Sequence, residues 1–151
     1  MNLETRIPPP IVMALVAGAM WVSRLAAPGL TGVPALRVYA MGVLVLGIAC
    51  ALAGVFEFRR ARTTVDPLHP EKASAVVDTG IYRITRNPMY LGMLLVLVAW
   101  AIWLANPVTL VGPVLFVPYM NRFQVRPEER ALLRIFGEPY RAYLGRVRRW
   151  L

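Results

Sequence analysis

The sequence predicts an all-α polytopic membrane helical bundle of about four transmembrane helices, followed by a C-terminal amphipathic interfacial helix. Three observations predict it. Hydrophobic residues make up 58% of the 151 residues and the mean hydropathy is +0.54, above the apolar share of an ordinary soluble domain. The formal net charge is nevertheless +9; so few polar residues cannot coat a soluble core of that size, whereas a bilayer takes the apolar surface and gathers the charges at its interface. Finally, the apolar residues fall into four runs divided by turn formers and arginine-rich segments. At this length the chain is one domain, residues 1–151.

The first run, Ile11 to Ala27, is read as a retained span. The preceding MNLETRIPPP lacks the strongly basic lead and small-residue cleavage site of a secretory signal. Arg24, near its far end, can reach the headgroups. Pro28 to Pro34 is rich in turn formers and predicts a tight hairpin. The second run, Val38 to Phe56, carries Gly47, Cys50 and Gly54 beside Ala49 and Ala53, small residues that let helices approach closely in lipid. That seam serves packing within one chain or between two.

A polar stretch, Glu57 to Asn87, precedes the third run, Pro88 to Leu104. Asn87 is placed to cap that helix, with Pro88 at its first position. Asn106-Pro107 predicts a turn. The fourth run reaches only about Met120 and contains Pro113 and Pro118. Its thirteen or so residues give roughly 20 Å, less than the hydrocarbon thickness, so it must extend, tilt or thin the bilayer. From Arg126 the chain becomes amphipathic, with Leu132, Leu133, Ile135 and Phe136 opposed by Arg130 and Arg134. Pro127 is suited to begin a helix, and Gly137-Glu138-Pro139 to break and restart it. Trp150 among Arg146, Arg148 and Arg149 marks the tail as interfacial.

Segments 57–87 and 121–151 hold fourteen of the seventeen basic residues. Two spans lie between them, so both segments share a face, and the positive-inside rule makes it cytoplasmic. Four spans with both termini inside follow. Because the arginines flank apolar runs and do not interleave with aromatics on a polar face, nucleic acid is not an expected partner. Cys50 is the only cysteine, which excludes an intrachain disulfide and a Cys-based zinc site.

Transporters and channels mark their path with ionisable residues deep in their spans. Here Arg24, Arg37 and Glu57 lie near span ends, and the polar functional groups sit in the two cytoplasmic segments. That points to a site at the membrane surface. The densest stretch is VVDTGIYRITRNPMYLG, Val76 to Gly92. Gly80 supplies a bend, Tyr82 and Tyr90 supply aromatic faces with hydroxyls, and Arg83 and Arg86 supply forks suited to a carboxylate. On composition alone an anchoring interfacial loop, capped into a helix, is the favoured reading. Glu128-Glu129 likewise has two readings. Acids in a first helical turn complement the helix dipole, or one of them faces a bound cation or a ribose diol.

At these residues the chain resembles the integral membrane methyltransferases related to isoprenylcysteine carboxyl methyltransferase, with phospholipid N-methyltransferases as more distant relatives. The matching strings are DTGIYRITRNPMYLG and EERALLRIFGEPYRAY, in the family order on either side of a helical hairpin, over roughly residues 65–150. The resemblance implies S-adenosyl-L-methionine as methyl donor, bound without a metal at the cytoplasmic side. It assigns Thr79, Gly80, Ile81 and Tyr82 to a cofactor turn, with Asn87, Tyr90 and Gly92 beside it and Lys72 where the approach begins. Glu128, with Glu129, closes the site from the other side of the hairpin. One position departs from the family pattern: Asn87 stands where the family has histidine. Asparagine exchanges hydrogen bonds but does not titrate near neutral pH. The lone His69, in PLHP, reads as a solvated loop histidine.

The implied reaction is an in-line displacement at a sulfonium methyl group, helped by positioning and exclusion of water. Asn87 and Arg122 are the catalytic candidates. Arg122 or Arg126 is placed to hold an anionic acceptor, or simply flanks a span on its positive side. The acceptor is expected to be a lipophilic or amphiphilic small molecule whose tail enters between spans from the lipid bilayer. Three alternatives accompany this reading: a phospholipid N-methyltransferase-like enzyme, a sterol-reductase-like NADPH enzyme, and a non-enzymatic membrane helical module.

Overall fold

The computed structural model describes residues 7–26, 34–62 and 73–151. The predicted hairpin over residues 28–33 and the positions of Lys72 and His69 lie outside them. Among the described residues all regular structure is helical, apart from one isolated parallel bridge between Thr85 and Arg148. The helices are α1 (Pro9–Ala26), α2 (Pro34–Arg60), α3 (Pro88–Leu104), α4 (Val111–Met120), α5 (Arg126–Phe136) and α6 (Glu138–Arg146).

Two helices, α1 and α2, are long and apolar enough to cross a membrane. They are not the buried core of a soluble protein, because their large apolar side chains face outward: Leu15, Val22, Val38, Leu52 and Phe56 are 62–73% exposed. Such an apolar belt is stable against lipid and costly against water. Over its 27 residues α2 runs about 40 Å, more than the roughly 30 Å hydrocarbon core. Its last turn, with Glu57, Arg59 and Arg60, can therefore stand clear of the apolar layer. α3 is apolar but shorter, with 17 residues.

α2 and α3 form the most extensive helix pair, and glycine is the reason. A Cβ at Gly47 would lie 2.9 Å from the Gly92 carbonyl oxygen, and one at Gly92 would lie 2.6 Å from the Gly47 carbonyl oxygen. A Cβ at Gly54 would meet Met89 and Pro88 side chains at 3.0 Å. The small-residue seam of α2 thus packs within the chain, against the start of α3. α1 closes on α3 and α4: Trp100 Nε1 donates to the Ala17 carbonyl (3.2 Å), Trp21 stacks on Trp100, and Met20 fills the space beside Gly112.

Asn106 makes the predicted turn. Its Oδ1 accepts from the Val108 N–H (3.0 Å), opening a 3-10 turn, Pro107–Leu110. The fourth run differs from expectation in how it ends. Helix does not restart at Pro127; α4 continues through a π-helical turn, Asn121–Val125, directly into α5. The Arg126 N–H reaches back five residues to the Asn121 carbonyl, and Pro127 has no N–H with which to resume an α-type bond at the next position. Such an extra residue re-aims the side chains that follow, and π-turns occur often at functional sites. Gly137, at φ +58°, then separates α5 from α6, as Gly137-Glu138-Pro139 predicted. Ile135 departs from its predicted apolar face and is 43% exposed, while Leu132, Leu133 and Phe136 pack inward.

Candidate active site

The site forms where three pieces of chain meet: the last turn of α2, the segment from Thr79 to Tyr90, and the π-turn with α5. Gly80 opens a 3-10 turn, Gly80–Arg83, at φ +53°, a left-handed conformation that suits glycine. A side chain there would also collide with the Glu57 carboxylate. Thr79 Oγ1 donates to Glu57 Oε2 (2.6 Å), so the turn is fastened to the end of α2. Tyr82 is buried against Val77, Tyr140 and Tyr143, with Phe58 and Ile81 beside them. The Tyr143 hydroxyl donates to the Tyr82 carbonyl (2.9 Å). Burial pushes the Tyr82 phenol well above its usual range, with smaller contributions from Tyr143, Glu128 and Glu57. Tyr82 therefore lies within electrostatic reach of both carboxylates.

Across from this turn, Tyr90 Oη donates to Glu128 Oε1 (2.5 Å), and Gln124 Nε2 donates to the same oxygen (2.7 Å). Gln124 stands four residues before Glu128, within the π-turn. Burial raises the Glu128 carboxyl to about 7; the Tyr90 and Gln124 hydrogen bonds act the other way, and the neighbouring Glu129 charge adds to the rise. Oε2 of Glu128 and Oε1 of Glu57 have no hydrogen-bond donor among the described residues.

Glu129 is occupied differently. Arg149 grips it through Nε (3.1 Å to Oε1) and Nη2 (2.6 Å to Oε2), a two-pronged pairing that fixes geometry as well as charge. Arg86 Nη2 lies 3.1 Å from Glu129 Oε1, and Arg86 Nη1 donates to the Leu144 carbonyl (3.1 Å). Asn87 sits at the N-cap position but makes no side-chain capping bond. Its amide instead donates to the Arg149 carbonyl (2.9 Å), while the Arg86 N–H donates to the Arg148 carbonyl (3.0 Å). The tail competes successfully for the cap, because its backbone runs alongside residues 85–87. Trp150 Nε1 completes the closure by donating to Asn121 Oδ1 (3.0 Å).

The structure thus brings Thr79, Gly80, Ile81, Tyr82, Asn87, Tyr90, Glu128 and Glu129 into one neighbourhood. Gly92, two residues past Tyr90 on α3, faces α2 in the α2–α3 seam. Arg122 is exposed, its guanidinium over the Phe123 ring (5.5 Å to the centroid). Sequence reasoning passed over four participants. Glu57 was read only as a span-end acid, and Gln124 carried no signal beyond its four-residue spacing from Glu128. Arg149 was grouped with the interfacial arginines. Tyr143, in the second matching string, was given no role.

A model of the phospholipid methyltransferase family matches residues 36–139, a stretch that contains both carboxylate-bearing walls. Protein-S-isoprenylcysteine O-methyltransferase B of Arabidopsis thaliana is 26% identical over 109 residues, covering 72% of this chain and 55% of that protein. Methanethiol S-methyltransferase of Pseudomonas deceptionensis is 33% identical over 108 residues, covering 66% and 38%. An uncharacterised protein of Haemophilus influenzae is 46% identical over 63 residues, 42% of this chain and the whole of that protein. The chain spans about half the length of its plant relative. Its class is that of the membrane methyltransferases. The chain belongs to the phospholipid methyltransferase family, and its likeness to isoprenylcysteine methyltransferases agrees with the motif resemblance.

Proposed function

We propose that the chain is a multi-pass membrane enzyme that uses S-adenosyl-L-methionine to methylate the polar head of a lipophilic acceptor, a carboxylate, thiol or amine, at the cytoplasmic face. One observation carries this reading. Among the described residues, two carboxylates on opposite walls, Glu57 and Glu128, each keep one oxygen without a donor, and Tyr82 lies in the field of both. Enclosed carboxylates with free oxygens suit a cationic ligand, and this donor carries both a sulfonium and an ammonium group. When bound it supplies an electrophilic methyl group.

The residues of the chain have separable parts in this reading. Glu128 Oε2 and Glu57 Oε1 hold positive charge. Thr79 and Gly80 shape the turn that keeps Glu57 in place, and Tyr82 with Ile81 offers the apolar slot. Arg83, exposed at the end of the same turn, suits a carboxylate. Asn87 positions the tail and does not titrate, so the acceptor is either already deprotonated, a carboxylate or thiolate, or gives its proton to another base. In this reading Arg122, exposed on the π-turn ahead of Glu128, or Arg126 holds an anionic acceptor. The acceptors that the relatives are named for, protein-S-isoprenylcysteine and methanethiol, support an oxygen or sulfur nucleophile. Four crossings, with both termini and the site cytoplasmic, complete the proposal, supported by the arginine distribution.

Titration of S-adenosylhomocysteine and of NADPH into the purified protein tests the reading. Saturable S-adenosylhomocysteine binding that weakens in Tyr82→Phe and Glu128→Ala is expected. Preferential NADPH binding would replace the proposal with a reductase, and absence of binding by either nucleotide would leave a non-enzymatic module.

A further inference from the structure

A cavity opens between α1, α2 and α3, away from the carboxylates. It has a volume of about 450 Å³ and an almost wholly apolar lining that includes Met13, Ala17, Met41, Leu44, Trp100 and Trp103. That volume lies within the range of small-molecule sites, about 300–1,000 Å³. Ala17, Ala40 and Ala99 leave the space, and larger residues at these positions would fill it. The cavity is open at its side: Met41 and Trp103 are 49% and 43% exposed, between helices whose outer surfaces are apolar.

One cation stands at its rim. Arg37 shares a face of α2 with Ala40, Met41 and Leu44, at spacings of three, four and seven residues. Its guanidinium lies 5.6 Å from the centroid of the Trp103 ring, and it has no carboxylate partner among the described residues. Of the described acids, Glu57 lies in the last turn of α2, twenty residues from Arg37, and Asp78, Glu128, Glu129 and Glu138 follow α2 in sequence. An apolar cavity under an arginine with no carboxylate partner among the described residues, open sideways to lipid, matches an anionic phospholipid. The headgroup phosphate would meet Arg37 and one acyl chain would fill the cavity. We infer that the α1–α2–α3 cavity, with Arg37 at its rim, is a binding site for an anionic phospholipid in the leaflet opposite the carboxylate site.

This occupant is not the methyl acceptor. Tyr90 and Trp100 are ten residues apart on α3, about 15 Å, and Arg37 and Glu57 are twenty apart on α2, about 30 Å. A headgroup held at Arg37 therefore does not reach Glu128. The inference stands apart from the methyltransferase reading.

Trp100 and Trp103 report on the site directly. Phosphatidylglycerol and phosphatidylcholine carrying the same brominated acyl chains are to be titrated into the full-length protein in non-ionic detergent, with tryptophan fluorescence recorded. Saturable quenching by brominated phosphatidylglycerol is expected at about fivefold lower concentration than by phosphatidylcholine, the scale of one interfacial arginine contact. Arg37→Gln, an exposed substitution, should abolish that preference while leaving S-adenosylhomocysteine binding unchanged. Ala17→Leu should reduce quenching by both lipids, and millimolar inorganic phosphate should not relieve it. Equal quenching by the two lipids, or a preference that survives Arg37→Gln, overturns the site as ordinary lipid contact. Loss of quenching accompanied by self-association would assign the face to a second copy of the chain and overturn it equally.

Discussion

Tyr90 Oη donates to Glu128 Oε1 across 2.5 Å, joining the first turn of α3 to the first turn of α5. These helices are separated in sequence by the whole hairpin, so this contact holds the two motif regions against each other. Among the described residues it leaves Glu128 with one engaged and one unengaged oxygen, in surroundings that disfavour its charge. Perturbed carboxyls of this kind concentrate at functional sites.

Glu128→Gln separates stability from ligand binding. The Glu128 carboxyl moves from 4.5 to about 7 on folding, so between those values the folded chain retains a proton that the unfolded chain has lost. Stability from this group is full below about pH 4.5 and is lost as pH rises through about 7, a difference of ~3 kcal/mol. Ligand-free Glu128→Gln should therefore melt above wild type at pH 8 and level with it near pH 4.5. A lower Tm than wild type at pH 8 would show that the carboxylate is not strained.

Tyr90→Phe removes one of the two donors that favour the ionised Glu128. S-adenosylhomocysteine affinity, followed by calorimetry from pH 6 to 9, should rise with pH in both proteins, with the midpoint displaced to higher pH in the variant. An unchanged midpoint would detach Tyr90 from ligand binding.

Gly92→Ala places a methyl group 2.6 Å from the Gly47 carbonyl oxygen and 2.7 Å from Ala51 Cβ. Overpacking of this kind typically costs ~1–3 kcal/mol. Gly42→Ala, which meets nothing within 4 Å, is the matched control. Thermal melts should show a clear loss for the first and none for the second; equal melts would contradict the α2–α3 seam.

Asn87→His retains a donor for the Arg149 carbonyl and should keep S-adenosylhomocysteine affinity within tenfold of wild type, about 1.4 kcal/mol. Asn87→Leu has no such donor and should free the tail, read as faster proteolysis after Arg146. A tail equally protected in both variants would give that role to Glu129 and Arg149 alone.

For the four-crossing arrangement, single cysteines in a Cys50→Ala background are informative. One at Val108 should label from outside the cell, and one at Arg148 only after permeabilisation. Outside labelling at both positions would defeat it.

The sequence reading located the helices well because their signals are local. Apolar runs, Pro88 at a helix start, Asn106-Pro107 and Gly137 each act within a few residues. It also singled out Tyr82, Tyr90 and Glu128, which the matching strings carry. What it missed depends on chain segments meeting after folding. Glu57 acquires a partner in Thr79, 22 residues away, and Arg149 acquires Glu129 only because the tail lies beside residues 85–87. The π-turn was hidden for another reason: a single extra residue in a helix leaves no mark on hydrophobic spacing.

The central claim is that the Thr79–Tyr82 turn and the start of α5 are two walls of one cofactor site. Ultraviolet cross-linking of methyl-labelled S-adenosylmethionine, mapped by proteolysis, tests it most directly. Label should fall on peptides from both 76–92 and 121–136, and excess S-adenosylhomocysteine should compete it away. Label confined to one of these peptides, or resistant to the competitor, would contradict a shared site.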